Sequence, residues 1–353
     1  MGKGREFGRW FNHRQNQGFN SKRRVSDPGF ENWLNESTPA LKAWGAFVVA
    51  RIKEFVELDV GKERYKSFFK IEPSYRAKDV ASALKKQAKK NYPDPRVGMT
   101  DLVGARFVVL VRTDIEIVER ALLAYSGWST SRDRHFRDEV IDHPSLFDYQ
   151  SVHYLVRATG ETEVNGLRIP DGLPCEVQIR TLLQHAYAEL VHDNIYKPTV
   201  QVPSSARRLV ARSMALMETT DDMFCQALYE LDQVSATISD LEQFANTLHA
   251  RICGKVADDT GNLEAMEFLE TYRDLFASCN RAELDDFLQG GYAQRLRERS
   301  ARAGLFARPI SVLVYWLARE HDVELVERWN LPAYRRDLQL VLADLGKAAD
   351  SFY

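Results

Sequence analysis

Asp101-Leu102-Val103-Gly104-Ala105-Arg106-Phe107-Val108-Val109-Leu110-Val111 is a nearly continuous apolar run. A run this rich in valine is what a central strand buried on both faces requires, and it places the core in an α/β class. Helical spacing follows over 114–125, and then a polar stretch rich in Arg, Asp and His runs to Pro144 and reads as loop. Residues 151–157 and 174–180 are further strands. The second alternates, with Val177 and Ile179 pointing one way and Glu176, Gln178 and Arg180 the other. A helix from Thr181 to about Tyr196 is closed by Lys197-Pro198.

Upstream, Thr38-Pro39 has the form of an N-cap followed by proline at the first helical position. Leu41, Trp44, Val48, Ile52 and Phe55 then recur at helical steps, and a second helix over 79–90 is basic on its outer side. Downstream, 206–248 admits one long helix or a helical pair, and 262–353 reads as several short helices broken at Gly290-Gly291, Arg308-Pro309 and Leu331-Pro332. The expected architecture is a mixed-sheet α/β (α+β) core flanked by helices, followed by an all-helical C-terminal region. The divisions fall at 1–30, a basic arm; 31–203, the α/β core; 204–253, the long helix or pair; and 254–353, a helical accessory domain.

Composition narrows the function. The chain has 353 residues, 44% hydrophobic and 28% charged, which excludes a disordered or fibrous protein. The net charge of −2 excludes a wholesale polyanion binder and leaves room for a local basic site. Residues 1–28 carry seven Lys or Arg against two acids, which fits a solvated tail or an RNA-contacting arm. Cys175, Cys225, Cys253 and Cys279 form no CxxC pair and read as reduced thiols. No stretch approaches the ~20 apolar residues of a spanning helix, so the expectation is a cytoplasmic protein with no membrane partner.

No Walker loop, GxGxxG, HExxH, GxSxG or paired-cysteine zinc signature occurs. Four polar clusters lie on the α/β elements instead: Ser74-Tyr75-Arg76-Ala77-Lys78, Asp101, Asp148-Tyr149-Gln150-Ser151-Val152-His153, and Cys175-Glu176-Val177-Gln178-Ile179-Arg180-Thr181. Singly, each has an ordinary structural explanation: a turn residue, an edge aromatic, a solvated strand face. Together they supply two carboxylates able to hold Mg²⁺, Arg and Lys for phosphates, and a ring on which a base can stack.

In order and spacing these clusters resemble the synthetase domain of the RelA/SpoT homologue family over roughly 40–235, and the helix from Gln184 to His192 looks like that family's. The resemblance implies a nucleotidyltransferase-like core at 31–203 and an ATP-dependent pyrophosphokinase. Such an enzyme transfers the β,γ-pyrophosphate of ATP to a 3′-hydroxyl, commonly of GDP or GTP, making alarmones such as ppGpp. Carried over by position, Arg76 and Lys78 resemble the ATP-phosphate clamp, Asp101 and Glu176 the Mg²⁺ carboxylates, and Tyr149 the ring under the acceptor base. Gln150 and His153 belong to the acceptor motif, and Arg106, Gln178 and Arg180 complete the catalytic motifs.

One departure stands out. Where the family reads Lys-x-Asn-Gly-Tyr, this chain has Ser145-Leu146-Phe147-Asp148-Tyr149, so a phosphate-facing lysine is missing and an acid stands beside the ring. Two alternatives therefore accompany GDP/GTP. One is a toxin-like member acting on the 3′ end of tRNA or making adenosine alarmones; the other is a catalytically weak nucleotide- or RNA-binding module. A homo-oligomer or a regulatory partner engages the C-terminal helices in this reading. His185, Glu189 and His192 share one face of a helix, a trio more often hydrogen-bonded or solvated than metal-binding.

Overall fold

The computed structural model describes residues 28–90, 92–135, 151–160, 162–194, 202–254, 262–302 and 304–347. These fall into two compact units divided between Cys225 and Gln226. The basic arm up to residue 27 and the loop that holds Tyr149 and Gln150 lie outside the described residues.

The first unit is built on a five-stranded sheet, in the order β1 (Ile71–Ala77), β2 (Val103–Val109), β7 (Pro174–Thr181), β4 (Val152–Ala158) and β3 (Trp128–His135). β2 and β7 run parallel and the other neighbours are antiparallel, so the sheet is mixed. One face is apolar. Val103, Ala105, Phe107 and Val109 of β2, with Cys175, Val177 and Ile179 of β7, join Trp44, Val48 and Ile52 of helix α1 (Pro28–Phe68) in one buried cluster. Helix α3 (Arg112–Ala124) adds Ile115, Val118 and Leu122 to it. Gly45 permits the close approach of α1 to the sheet: a Cβ there would meet Tyr75 Cδ2 and Val103 Cγ1 at 2.9 Å each.

Several local expectations are corrected. Helix α1 starts at Pro28, ten residues before Thr38, and runs through Pro39, with Thr38 Oγ1 donating to Leu34 O at 2.7 Å. Phe30 and Leu34, buried in the core, hold this first segment helical against the proline. The helix is interrupted at Gly61, where φ is 77°. Strand β2 is not buried on both faces, because Gly104 and Arg106 turn to the polar side. β3, a run of Trp-Ser-Thr-Ser-Arg-Asp-Arg-His, is a strand where a loop was expected. It is an edge strand, and polar, charged side chains are what an edge tolerates. A small hairpin, β5 (Thr162–Val164) and β6 (Leu167–Ile169), turns at Asn165-Gly166, both with positive φ, an Asn-Gly hairpin signal present in the sequence and not read.

Helix α2 (Val80–Lys90) follows β1, and α4 (Leu182–Asn194) follows β7. α4 begins with a capping box: Gln184 N donates to Thr181 Oγ1 and Thr181 N donates to Gln184 Oε1. Helix α5 (Ser204–Cys253) is one continuous 50-residue helix. Its Met214, with Val210 and Met217, packs on Tyr187 and Val191 of α4. The second unit is helical among its described residues, with Phe268, Tyr272, Leu296, Leu313, Val314 and Leu317 in its own core. None of the four cysteines forms a disulfide. No described helix is long and apolar enough to cross a membrane.

Candidate active site on the polar face of the sheet

Strand alternation that buries Val177 and Ile179 sends Glu176, Gln178 and Arg180 to the opposite face, and cross-strand register aligns them with their neighbours. One row crosses the sheet as Arg76 on β1, Gly104 on β2, Glu176 on β7 and Leu155 on β4. The next runs Ser74, Arg106, Gln178 and His153. At Gly104 a Cβ would meet only the Glu176 carbonyl oxygen within 4 Å, at 3.8 Å, so the floor between Arg76 and Glu176 is left low.

Glu176 is the most constrained acid on this face. Its Oε1 accepts from Gln178 Nε2 at 2.8 Å and lies 3.2 Å from His153 Nδ1. Burial pushes the carboxyl up. The hydrogen bonds from His153 and Gln178, with the charges of His153 and Lys86, outweigh that and hold it at about 2. Arg180 in turn donates to Gln178 Oε1, so Glu176, Gln178 and Arg180 form a chain along β7.

Asp101 lies just before β2. Its Oδ2 is 3.1 Å from Lys78 Nζ and 2.5 Å from Lys86 Nζ, while its Oδ1 is buried without a hydrogen-bond partner. Lys86, on α2, therefore binds Asp101 and electrostatically stabilises Glu176 as well. Sequence reading missed this residue. The signal was there in the basic side of the helix over 79–90, but nothing local assigned one of its lysines to an acid fifteen positions on.

Arg76 lies near the end of β1, and Lys78 follows the last residue of that strand. Arg76 is exposed and 3.7 Å from Asp79 Oδ2. Lys78 N donates to Leu102 O at 2.8 Å, tying the end of β1 beside Asp101. Arg106 Nη1 donates to Glu189 Oε1 on α4 at 3.3 Å. Of the residues expected in the site, Asp101, Glu176, Arg106, Gln178, Arg180, Arg76, Lys78 and His153 are thus brought to one end or the polar face of one sheet. Tyr149 and Gln150 lie outside the described residues.

The donor set fits a hard divalent cation. An ionised Glu176 and the orphaned, buried Asp101 Oδ1 are oxygen donors of the kind Mg²⁺ takes, completed by water and phosphate oxygens. Among the described residues no group of three or more His, Cys, Asp or Glu forms an all-protein metal cage.

A family model described as "Region found in RelA / SpoT proteins" matches residues 75–201. The chain is 26% identical over 207 residues to the GTP pyrophosphokinase YjbM of Bacillus subtilis (strain 168), a match covering 56% of this chain and 94% of that protein. Among solved structures, it is similar to small alarmone synthetase 1 from Bacillus subtilis at 22% identity and a TM-score of 0.45, covering 57% of this chain and 99% of that one. A GTP pyrophosphokinase family protein from Streptococcus pneumoniae matches at 21% identity and a TM-score of 0.44, over 57% of this chain and 95% of that one.

Proposed function

We propose, from the match of residues 75–201 to the model of a region found in RelA / SpoT proteins, that the protein is a pyrophosphokinase that transfers the β,γ-pyrophosphate of ATP to the 3′-hydroxyl of GDP or GTP. The observation that carries this reading is the pair of acids linked by Lys86: it binds Asp101 at 2.5 Å and its charge helps keep Glu176 ionised. A binding module has no need for two partly buried acids surrounded by cations. A reaction that moves a pyrophosphate does, because charge must be neutralised at the transferred group while the two substrates are held in line.

Asp101 and Glu176 are the residues that would hold Mg²⁺, which when bound would supply Lewis-acid neutralisation of the phosphate oxygens. Arg76, Lys78 and Lys86 bind the triphosphate. Lys78 and Lys86, which occupy Asp101 in the structure, turn from that carboxylate to phosphate oxygens when ATP is present. His153 and Gln178 orient Glu176 by holding its Oε1. Tyr149 and Gln150 receive the acceptor, whose 3′-oxygen attacks the β-phosphorus as AMP leaves. The second unit is an accessory domain for regulation or a partner, and the reaction takes place in the cytoplasm.

The substituted acceptor loop, Ser145 to Tyr149, and the seven basic residues in 1–28 favour one further acceptor, the 3′ end of tRNA. Incubation of the chain with γ-labelled ATP, Mg²⁺ and, separately, GDP, GTP, ADP, ATP or tRNA tests both. The expected result is label on GDP or GTP with stoichiometric AMP. Label on tRNA alone replaces the acceptor, and no transfer to any of them overturns the reading.

A further inference from the structure

Glu189 stands between two nitrogen groups on the polar face. Its Oε1 accepts from Arg106 Nη1 at 3.3 Å, and the same oxygen lies 3.7 Å from His185 Nδ1, one helical turn back on α4. The second distance is too long for a hydrogen bond. His185 Nδ1 is buried and has no hydrogen-bond partner. The carboxylate thus has one partner engaged and a second one waiting.

The charged groups around His185 explain which is engaged. Arg106 comes from β2, Arg180 from β7 and Glu189 from its own helix. His192, a further turn along that helix, is exposed. Burial first, and then the positive charges of Arg106 and Arg180, push the imidazole below its ordinary range, with Glu189 alone opposing them. While Arg106 holds Glu189, His185 has little reason to charge.

Nucleotide phosphates change that balance. Guanidinium groups bind phosphate oxygens in a forked geometry with charge-assisted hydrogen bonds, and a polyphosphate carries more charge than one carboxylate. An Arg106 drawn to phosphate leaves Glu189 without its cation and has its own field at His185 neutralised. Both changes favour the imidazolium, and closing the gap to Glu189 needs a movement of only about 0.5–1 Å, to the ordinary hydrogen-bond range.

We propose that binding of a nucleoside polyphosphate at Arg106 passes Glu189 from Arg106 to His185, so that His185 takes up a proton from solvent at Nδ1 and donates it in a hydrogen bond to Glu189. Both are positioning residues: they act through Arg106, releasing it to the nucleotide and then securing α4 over the sheet. The proposal rests on the nucleotide-binding reading of the site.

Calorimetric titration of the full chain at pH 7, with a non-hydrolysable ATP analogue and separately with GDP, tests it. Repeating each titration in two buffers of different ionisation enthalpy counts the protons taken up. The expected result for at least one nucleotide is uptake of about half a proton, with affinity falling about three- to tenfold from pH 6 to pH 8. His185→Gln and Glu189→Gln are expected to bind with neither uptake nor that pH dependence. Uptake unchanged in both variants, or wild-type binding without uptake, overturns the proposal and leaves the functional reading standing. A wild-type chain that binds neither nucleotide overturns both. If a variant does not fold, histidine-selective NMR of the wild-type chain gives the answer: nucleotide must raise the titration midpoint of one of its eight histidines, and eight unmoved midpoints overturn the proposal.

Discussion

The two faces of β7 are made by the same eight residues and have opposite physical characters. Cys175, Val177 and Ile179 are fully buried against α1 and α3, whereas Glu176 and Gln178 are half-buried and bonded to each other, with Glu176 also beside His153. On the apolar face the partners are interchangeable oils, and what counts is volume and removal from water. On the polar face each partner is specific, because a half-desolvated charge without its own donor is costly. One face should therefore answer mutation in stability and the other in turnover.

The largest expected effect is on the apolar face. Phe107, fully buried opposite Ile179, should cost about 3–5 kcal/mol when cut to Ala, by lost transfer energy and a residual cavity. Denaturant unfolding checks this, and a loss under 1 kcal/mol would mean the face is loosely packed. On the other face, Glu176→Gln and Asp101→Asn should lower pyrophosphate transfer by about 10²–10³-fold, the scale of losing one transition-state charge partner. The unfolding midpoint of Asp101→Asn should stay near wild type, whereas Glu176→Gln also gives up part of the stabilisation that holds its ionised carboxyl at about 2 in the folded chain. Near-normal turnover in either variant would remove that residue from the site, and a stability loss in Asp101→Asn as large as that of Phe107→Ala would erase the contrast between the faces.

Thr181 at the end of β7 sharpens the comparison, since here a charge sits on the buried side. Its Oγ1 donates to Asp221 Oδ2 at 2.8 Å, and Asp221 Oδ1 is buried without a hydrogen-bond partner. Burial pushes the Asp221 carboxyl up to about 6, above what the Thr181 hydrogen bond and the Arg112 charge restore. The folded chain thus holds this proton more tightly than the unfolded one, whose value is near 3.8. The stabilisation is complete below about pH 4 and is lost as pH rises through about 6, by at most ~3 kcal/mol. Asp221→Asn should abolish that slope and be the more stable protein at pH 7. Urea unfolding at intervals from pH 4 to pH 7 measures it, and an unchanged slope in the variant would assign the pH dependence elsewhere.

The smallest effect expected is at Lys86. Lys86→Ala leaves Asp101 with Lys78 and removes one of the charges that keep Glu176 ionised. The apparent KM for ATP should rise about ten- to a hundredfold, as for loss of one charge-assisted phosphate contact. The pH at which activity falls on the acid side should also move upward. An unchanged KM with an unchanged acid limb would confine Lys86 to tying α2 to Asp101.

Much of this was legible in the chain itself. The alternation of Cys175 to Thr181 assigns its two faces without any structure, because side chains on a strand change sides at every residue. The periodicity of Leu41, Trp44, Val48 and Ile52 likewise identifies one face of a helix. Asp101 and Glu176 stood out as acids attached to apolar strands. Local geometry was enough for each of these.

What the tertiary structure decided was pairing at a distance. Nothing local says that β2 lies parallel beside β7, and it is this register that aligns Arg106 with Gln178 and His153 in one row. Nor does any spacing say that Lys86 reaches Asp101, or that α4 presents Glu189 to Arg106. Phe30 and Leu34, by packing in the core, carry α1 past a proline that local rules take as its start. The edge strand β3 has no apolar alternation and is held by its ladder to β4. Periodicity is a property of neighbouring residues and is written in sequence. Register, ion pairing across elements and the fate of a marginal local signal depend on which surfaces the folded chain brings together.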